Sequence, residues 1–525
     1  MTGWDCRMDE GYLLLGIDVG TTLIKSVAFN EKGDIVGSYS MELPVEKPKP
    51  GYVEQDLLKL ENAFYITIRK CLTASSISPE RIGVVSITAH QHGTFLLDKN
   101  GKPVLDRAII WPDIRTQDIL MELCEKNLDR KIYQISGWRL ITSLQFLHMM
   151  WLKRFRQDEI NKARYFLSCK DYLRYKLTGE FCTDVTDASY TGMMDIRKRT
   201  WSKELIEEFG LSYEVFPEIR DPWEYGGSVT EVASRLTGLK PGTPVVVGAG
   251  DGPLTVLGSG AVTPGQLGII IGTAGVYGLV SNRPDLDPQM RHHVCCFPRP
   301  NTWLLLCLQM NTASALKWFK DVFGYEEASQ SEKEGLSPYS LMDIKASSST
   351  VGARGVIFHP FLQGERSPFT KPTARGIFFG FGMWSTKSDF IRAVLEGVGF
   401  SARDNIEIFR ERGYNLRGAT MAGGGAKSEF WPQIFADILN LEMKIPKVEE
   451  CGALGSAILG SVYLKVYKDI DKACDAMIKF KKCFHPEPTN VEKYNLIFPL
   501  YRKLYKTLWD VYDEFWKTYQ LLGLL

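Results

Sequence analysis

The sequence predicts a two-domain α/β protein, on three observations. The chain has 525 residues, well past the roughly 250–300 at which a single hydrophobic core stops growing. Apolar runs broken by a small-residue turn occur near the start and again near the middle, which suggests a doubled architecture. Between and after them, strand-like and helix-like patterns alternate in the way that builds layered α/β folds.

The first element, residues 12–29 (YLLLGIDVGTTLIKSVAF), is two apolar runs around a Gly-Thr-Thr turn and predicts a β-hairpin. A helix is expected over 51–75, strands over 82–87 and 94–97, and a helix over 144–155. A strand follows at 244–247, and a second hairpin at 267–280 (LGIIIGTAGVYGLV) around Gly-Thr-Ala-Gly. Helices are expected at 387–412, capped by Ser385 or Ser388, and at 431–439. The domain boundary is drawn near residue 255, giving domains 1–255 and 256–525. The aromatic-rich stretch from 490 is expected to be helical and to return onto one of the two domains, with the first as the candidate.

Composition narrows the function. Hydrophobic residues make up 44% and charged residues 24% of the chain, ordinary values for a folded globular protein. Lys plus Arg (63) nearly balances Asp plus Glu (62), a net +1, so nucleic acid and anionic membrane surfaces are not expected partners. The eleven cysteines include no C-x-x-C pair, which disfavours a disulfide framework or a zinc knuckle. The N-terminal stretch lacks a leader pattern and no apolar run approaches the ~18 residues of a membrane span, so a cytoplasmic location is expected.

Three turns have phosphate-handling chemistry. In Asp18-Val19-Gly20-Thr21-Thr22 the glycine allows a tight turn with exposed N–H groups, and the threonine hydroxyls add donors. Asp18 can hold Mg²⁺ through its hydration shell, and Lys25 lies on the return strand. Gly272-Thr273-Ala274-Gly275 repeats this chemistry. Residues 421–428 (MAGGGAKS) supply a glycine-rich turn between a strand and a helix, where backbone and helix dipole both favour an anion. No Walker A or Rossmann sequence is present, and the three turns together point to a nucleotide.

These turns, in their order, resemble the FGGY family of carbohydrate kinases, and the likeness runs over nearly the whole chain. It is carried further by Gln91-His92-Gly93, Trp111-Pro112-Asp113, Lys170-Asp171-Tyr172, Leu177-Thr178-Gly179, Gly250-Asp251-Gly252, Gly364-Glu365-Arg366-Ser367-Pro368, Arg392 to Gly397 and residues 422–428. The family's second signature resembles 376–396, with Phe381 where a smaller aliphatic is usual. The resemblance implies two actin-like (ribonuclease H-like) domains with an interdomain catalytic cleft, and ATP-dependent phosphorylation of a small sugar. The segment 91–113 is similar to that of xylulokinases, which implies D-xylulose as acceptor. Gln91 replaces a common methionine, and Gly252 replaces a usual asparagine, making the Asp-Gly pair similar to gluconate kinases. Gluconate or another polyol is therefore the alternative acceptor, and an actin-like nucleotide-switch ATPase the alternative of another class.

Roles follow from phosphoryl-transfer chemistry, which needs positioning, charge neutralisation and an acceptor for the hydroxyl proton. The resemblance makes Asp251 the base. Asp18 is assigned to Mg²⁺; Gly20, Thr21, Thr22, Lys25, Gly272, Thr273, Gly424, Gly425 and Ser428 to ATP; and Gln91, His92, Trp111, Asp113 and Asp251 to the sugar. His92 can donate and accept hydrogen bonds, Trp111 can stack on the sugar, and Asp113 can accept from a hydroxyl. Glu365 and Arg366 are expected to form an ion pair in the cleft wall. The resemblance also implies oligomers, a homodimer being the simplest.

Overall fold

The computed structural model describes residues 11–524; residues 1–10, where the leader pattern was sought, lie outside them. Among the described residues are two seven-stranded mixed sheets with one plan. In the first, Leu13–Val19, Leu23–Phe29 and Ile35–Glu42 form an antiparallel meander, and Ile82–Ala89 and then Pro244–Val246 add in parallel beside Leu13–Val19. In the second, Leu267–Ile271, Gly275–Ser281 and Trp303–Gln309 form the meander, and Ala419–Ala422 and Met443–Pro446 add in parallel. Both expected hairpins and the doubling are therefore present. Leu13–Val19 and Ile82–Ala89 are near-continuous apolar runs because helices cover both faces of the parallel part.

Three local expectations are corrected. Glu54–Asp56 is a short strand paired with Arg107–Ile109, and the helix begins only at Leu57, where Asp56 caps it by accepting from the Lys59 N–H at 2.9 Å. The long helix Lys387–Glu411 is capped by Thr386 in a reciprocal box with Asp389, not by a serine. The C-terminal helices Pro488–Thr507 and Trp509–Leu521 pack on the second half, not the first. Tyr505 donates to Asp404 and Tyr494 to Glu396, each at 2.8 Å, and Lys371 pairs with Asp513 at 2.5 Å.

The position drawn as a boundary, residue 255, lies inside the helix Asp251–Ser259. This helix leaves the first sheet and packs on the second, where the Ser259 hydroxyl meets that of Thr420 at 2.7 Å. The helix Cys451–Tyr463 does the reverse: it follows the second sheet but lies across Leu13–Val19 and Ile82–Ala89 of the first. The two helices cross in backbone contact. A Cβ on Gly258 would sit 2.0 Å from the Cys451 carbonyl oxygen, and one on Gly455 2.4 Å from that of Leu254. Only glycine fits at such distances, and the crossing joins the two halves at the cleft floor.

Candidate active site

Parallel strands place the chemistry at their C-terminal ends, where open α/β sheets take ligands. Asp18 ends Leu13–Val19 and lies in register with Thr88 of the neighbouring strand, which in turn pairs with Ala249 of the strand Ala249–Gly250. Asp251 follows directly, at the first position of its helix. The two carboxylates thus face one cleft. Burial lifts Asp251 to about 7, with the nearby charge of Asp18 adding to the rise and the Gly252 N–H, donating at 2.7 Å, opposing it. Burial lifts Asp18 to about 6 against the pull of Lys25, its cross-strand partner. A Cβ on Gly452 would lie 2.7 Å from Asp18 Oδ2, so the N-terminal turn of the crossing helix Cys451–Tyr463 also meets this carboxylate.

The predicted phosphate turns converge. Gly20 closes the first through its N–H to the Leu23 carbonyl at 2.9 Å, leaving Thr22 exposed and the Thr21 hydroxyl accepting from Trp111 Nε1 at 2.8 Å. In the second turn the carbonyls of Gly272 and Thr273 accept from Ala313 N–H and the Thr312 and Ser314 hydroxyls, which fixes the loop with Thr273 exposed. The third turn, Gly424–Lys427, rests on the end of Leu267–Ile271, with Gly425 against Ile271. Lys25, Gly423, Gly424, Glu450 and Cys451 line a groove of about 200 Å³. Ser428 does not line it: its hydroxyl accepts from the N–H groups of Phe430 and Trp431, where the helix Trp431–Leu439 begins.

Of the residues expected to meet the sugar, Gln91 and His92 lie beside the Asp251 turn and Asp113 does not. Gln91 is buried, donates to Asp187 at 3.3 Å and presses on Gly250, where a Cβ would lie 2.2 Å from its Nε2. His92 has a left-handed backbone (φ 63°) that turns its ring between Trp138 (5.0 Å) and Tyr190 (5.2 Å); burial pushes it down to about 3 and keeps it neutral. Trp111 is 40% exposed and braces the first phosphate turn, as described above. Asp113 is wholly buried: Oδ2 accepts from the Val53 N–H and Arg115 Nη2, and Oδ1 from Arg115 N and Nε. Its acceptor capacity is used by structure, which corrects its assignment to the sugar. The expected Glu365–Arg366 ion pair is also absent among the described residues. Glu365 Oε1 instead accepts the N–H groups of Met310 and Arg366, and burial lifts its carboxyl to about 8.

Sequence reasoning singled out Lys170-Asp171-Tyr172 without giving it a role, and missed the two acids, Asp184 and Asp187, that meet it behind this wall. The buried Lys170 ammonium meets Asp171, Asp184 (3.3 Å) and Asp187 (3.5 Å). Asp184 holds Thr186, whose hydroxyl accepts from the Gly250 N–H at 2.9 Å, and Asp187 holds Gln91. One buried cation thus positions both the Asp251 turn and the sugar loop. The signal was the run TDVTDAS (183–189), acids and hydroxyls spaced for one helical turn.

Residues 13–258 fit the N-terminal domain, and 267–464 the C-terminal domain, of the FGGY family of carbohydrate kinases. The chain belongs to that family. It is thus an ATP-dependent carbohydrate kinase. A xylulose kinase of Staphylococcus epidermidis is 32% identical over 499 residues, 94% of this chain and 96% of that one. A gluconokinase of Bacillus subtilis is 29% identical over 508 residues, 95% and 97% of the two chains. Crystal structures of a ligand-bound xylulose kinase and a gluconate kinase, both from Lactobacillus acidophilus, superpose with TM-scores of 0.88 and 0.89. Each is 25% identical and covers 96% of this chain and 100% of the other. Among its described residues no helix is long and apolar enough to cross a membrane.

Proposed function

We propose that this FGGY kinase transfers the γ-phosphoryl group of ATP to a hydroxyl of a small sugar, with Asp251 as general base. The observation that carries this reading is the Asp251 carboxyl, held near 7 at the cleft floor beside Asp18, where a base poised near neutral pH is most effective. The Gly20–Thr22 and Gly272–Thr273 turns receive the phosphates, and Gly424 and Gly425 the adenosine side. A divalent cation fits Asp18: two carboxylates repel each other there, and carboxylate oxygens are hard donors suited to Mg²⁺. When bound, Mg²⁺ supplies neutralisation of phosphate charge. Gln91, backed by Asp187, and His92 orient the acceptor, and the neutral His92 ring both donates and accepts.

Relatives act on two acceptors, xylulose and gluconate, by their names. The Gln91-His92-Gly93 segment favours D-xylulose, giving D-xylulose 5-phosphate. Gluconate is favoured by Gly252, which leaves the space facing the Tyr190 hydroxyl and Gln91 free of a side chain. ADP release from Mg·ATP with D-xylulose, L-xylulose, D-ribulose, gluconate, glycerol and erythritol tests the reading. Acceptor-dependent release that is lost in Asp251→Ala supports it. ATP hydrolysis indifferent to every acceptor favours a nucleotide-switch ATPase and overturns it.

A further inference from the structure

The second sheet ends in an edge strand whose outer end gathers three metal-ligating side chains. Phe480–Phe484 is the last strand and pairs antiparallel with Met443–Pro446, with Met443 opposite Phe484 and Lys444 opposite Cys483. Continued by one residue, that register sets Glu442 opposite His485. Strand alternation then puts Glu442, Lys444, Cys483 and His485 on one face, while Met443 and Phe484 turn to the other. The donor atoms of Glu442, Cys483 and His485 all lie within 4.8 Å of one another, and His485 Nδ1 is 3.4 Å from Glu442 Oε2. No other trio of acid, cysteine or histidine donors gathers so closely among the described residues.

The cluster has both the chemistry and the support of a metal site. Tetrahedral Zn²⁺, with bonds of about 2.0–2.3 Å, puts its ligand atoms about 3.3–3.8 Å apart. Cys483 and His485 are exposed and Glu442 is half-buried, so side-chain rotation can supply the remaining closure. Thiolate, imidazole and carboxylate together suit Zn²⁺, whereas Mg²⁺ takes oxygen ligands. The backbone beneath is fixed from both sides. The Glu442 carbonyl accepts from the Ala419 N–H at 2.8 Å, and the His485 carbonyl from Gln433 Nε2 at 2.8 Å. The neighbouring cation, Lys444, sits on the other carboxylate oxygen, Oε1, at 3.0 Å, which leaves Oε2 to the cluster. An ion pair of Glu442 with His485 would account for two of the three groups but not for the cysteine set beside them.

We propose that Glu442, Cys483 and His485 form a zinc site, with water at the fourth position, that clasps the end of the edge strand to its neighbour where the chain turns into the helix Pro488–Thr507. None of the three lines the nucleotide groove. The site is therefore separate from the cation site at Asp18, and it holds the sheet edge instead of taking part in phosphoryl transfer.

Cobalt spectroscopy on the reduced, metal-free enzyme tests the site without requiring turnover. Co²⁺ should give a near-ultraviolet thiolate-to-cobalt absorption that saturates at one ion per chain, a band that an oxygen-only site such as Asp18 does not produce. Zn²⁺ should displace the Co²⁺, and a large excess of Mg²⁺ should not. Cys483→Ser should abolish the band, whereas Cys124→Ser, at the other exposed cysteine among the described residues, should keep it. Zinc affinity, read by competition with a chromophoric chelator, should fall at least tenfold in Cys483→Ser and in Glu442→Gln. The rise in melting temperature that Zn²⁺ gives the wild type should vanish with it. The substituted side chains are at least partly exposed, so these variants should fold. Absence of the thiolate band, a band that persists in Cys483→Ser, or zinc affinity equal to wild type in the variants would each overturn the site.

Discussion

At the scale of single residues, Asp251 combines two opposed demands. Its carboxyl binds its proton more tightly than an exposed aspartate because burial disfavours the charge. Catalysis needs the charged form, so kcat/KM should fall as pH drops through about 7, and a pH profile measured at saturating Mg·ATP checks this. Folding is penalised by the same ionisation. In the metal-free protein the cost grows from about pH 4, where an unfolded aspartate ionises, to about pH 7, reaching on the order of 4 kcal/mol. Asp251→Asn should therefore lose turnover by about 10²–10⁴-fold yet melt higher than the wild type in EDTA, with the gap wider at pH 7.5 than at pH 4.5. Asp113 should behave in the opposite way. Asp113→Ala leaves the buried Val53 N–H without an acceptor and removes one of the two carboxylates paired with Arg115, Glu54 remaining, which should cost about 1–3 kcal/mol in urea unfolding while shifting the sugar KM of the folded enzyme less than twofold.

At the scale of elements, the site's legibility in the sequence follows from how local each feature is. Asp18 and Asp251 are readable because each lies at or just past the end of a strand, with Gly20 two residues after Asp18 and a glycine on either side of Asp251, so strand and turn are encoded within a few residues. Asp113 is not, since its distant partner, the Val53 N–H, is sixty residues away, and Val53 is brought near only by pairing of Glu54–Asp56 with Arg107–Ile109. A serine before a helix suits both a phosphate donor and an acceptor for the helix's first N–H groups, and the Ser428 hydroxyl does the second. The crossing helix Cys451–Tyr463 is a run of small and apolar residues without amphipathic contrast, because it is buried on all sides. Its glycines are nonetheless specific. Gly455→Val would drive a side chain into the Leu254 carbonyl; overpacking of this kind costs about 1–3 kcal/mol, and denaturant titration should show a loss of at least that size.

At the scale of the whole molecule, the residues proposed to hold acceptor and nucleotide come from different halves. Gln91 and the Gly20–Thr22 turn belong to the first, Thr273 and Gly424 to the second. Binding of acceptor and nucleotide together should draw the halves inward about the helix crossing. Small-angle scattering should then give a smaller radius of gyration with sugar plus a non-hydrolysable nucleotide than with neither; an unchanged radius would argue against closure. Chain order predicted two halves correctly but could not show that a helix of each is lodged on the sheet of the other.

That exchange of helices has a consequence for dissection of the protein. A fragment ending before Cys451 would present the inner faces of Leu13–Val19 and Ile82–Ala89 bare to water, and one beginning after Ser259 would lack the cover of its own sheet. Neither piece should be soluble when expressed alone. Co-expressed, the two should rescue each other, and the intact enzyme should melt in a single calorimetric transition despite its length.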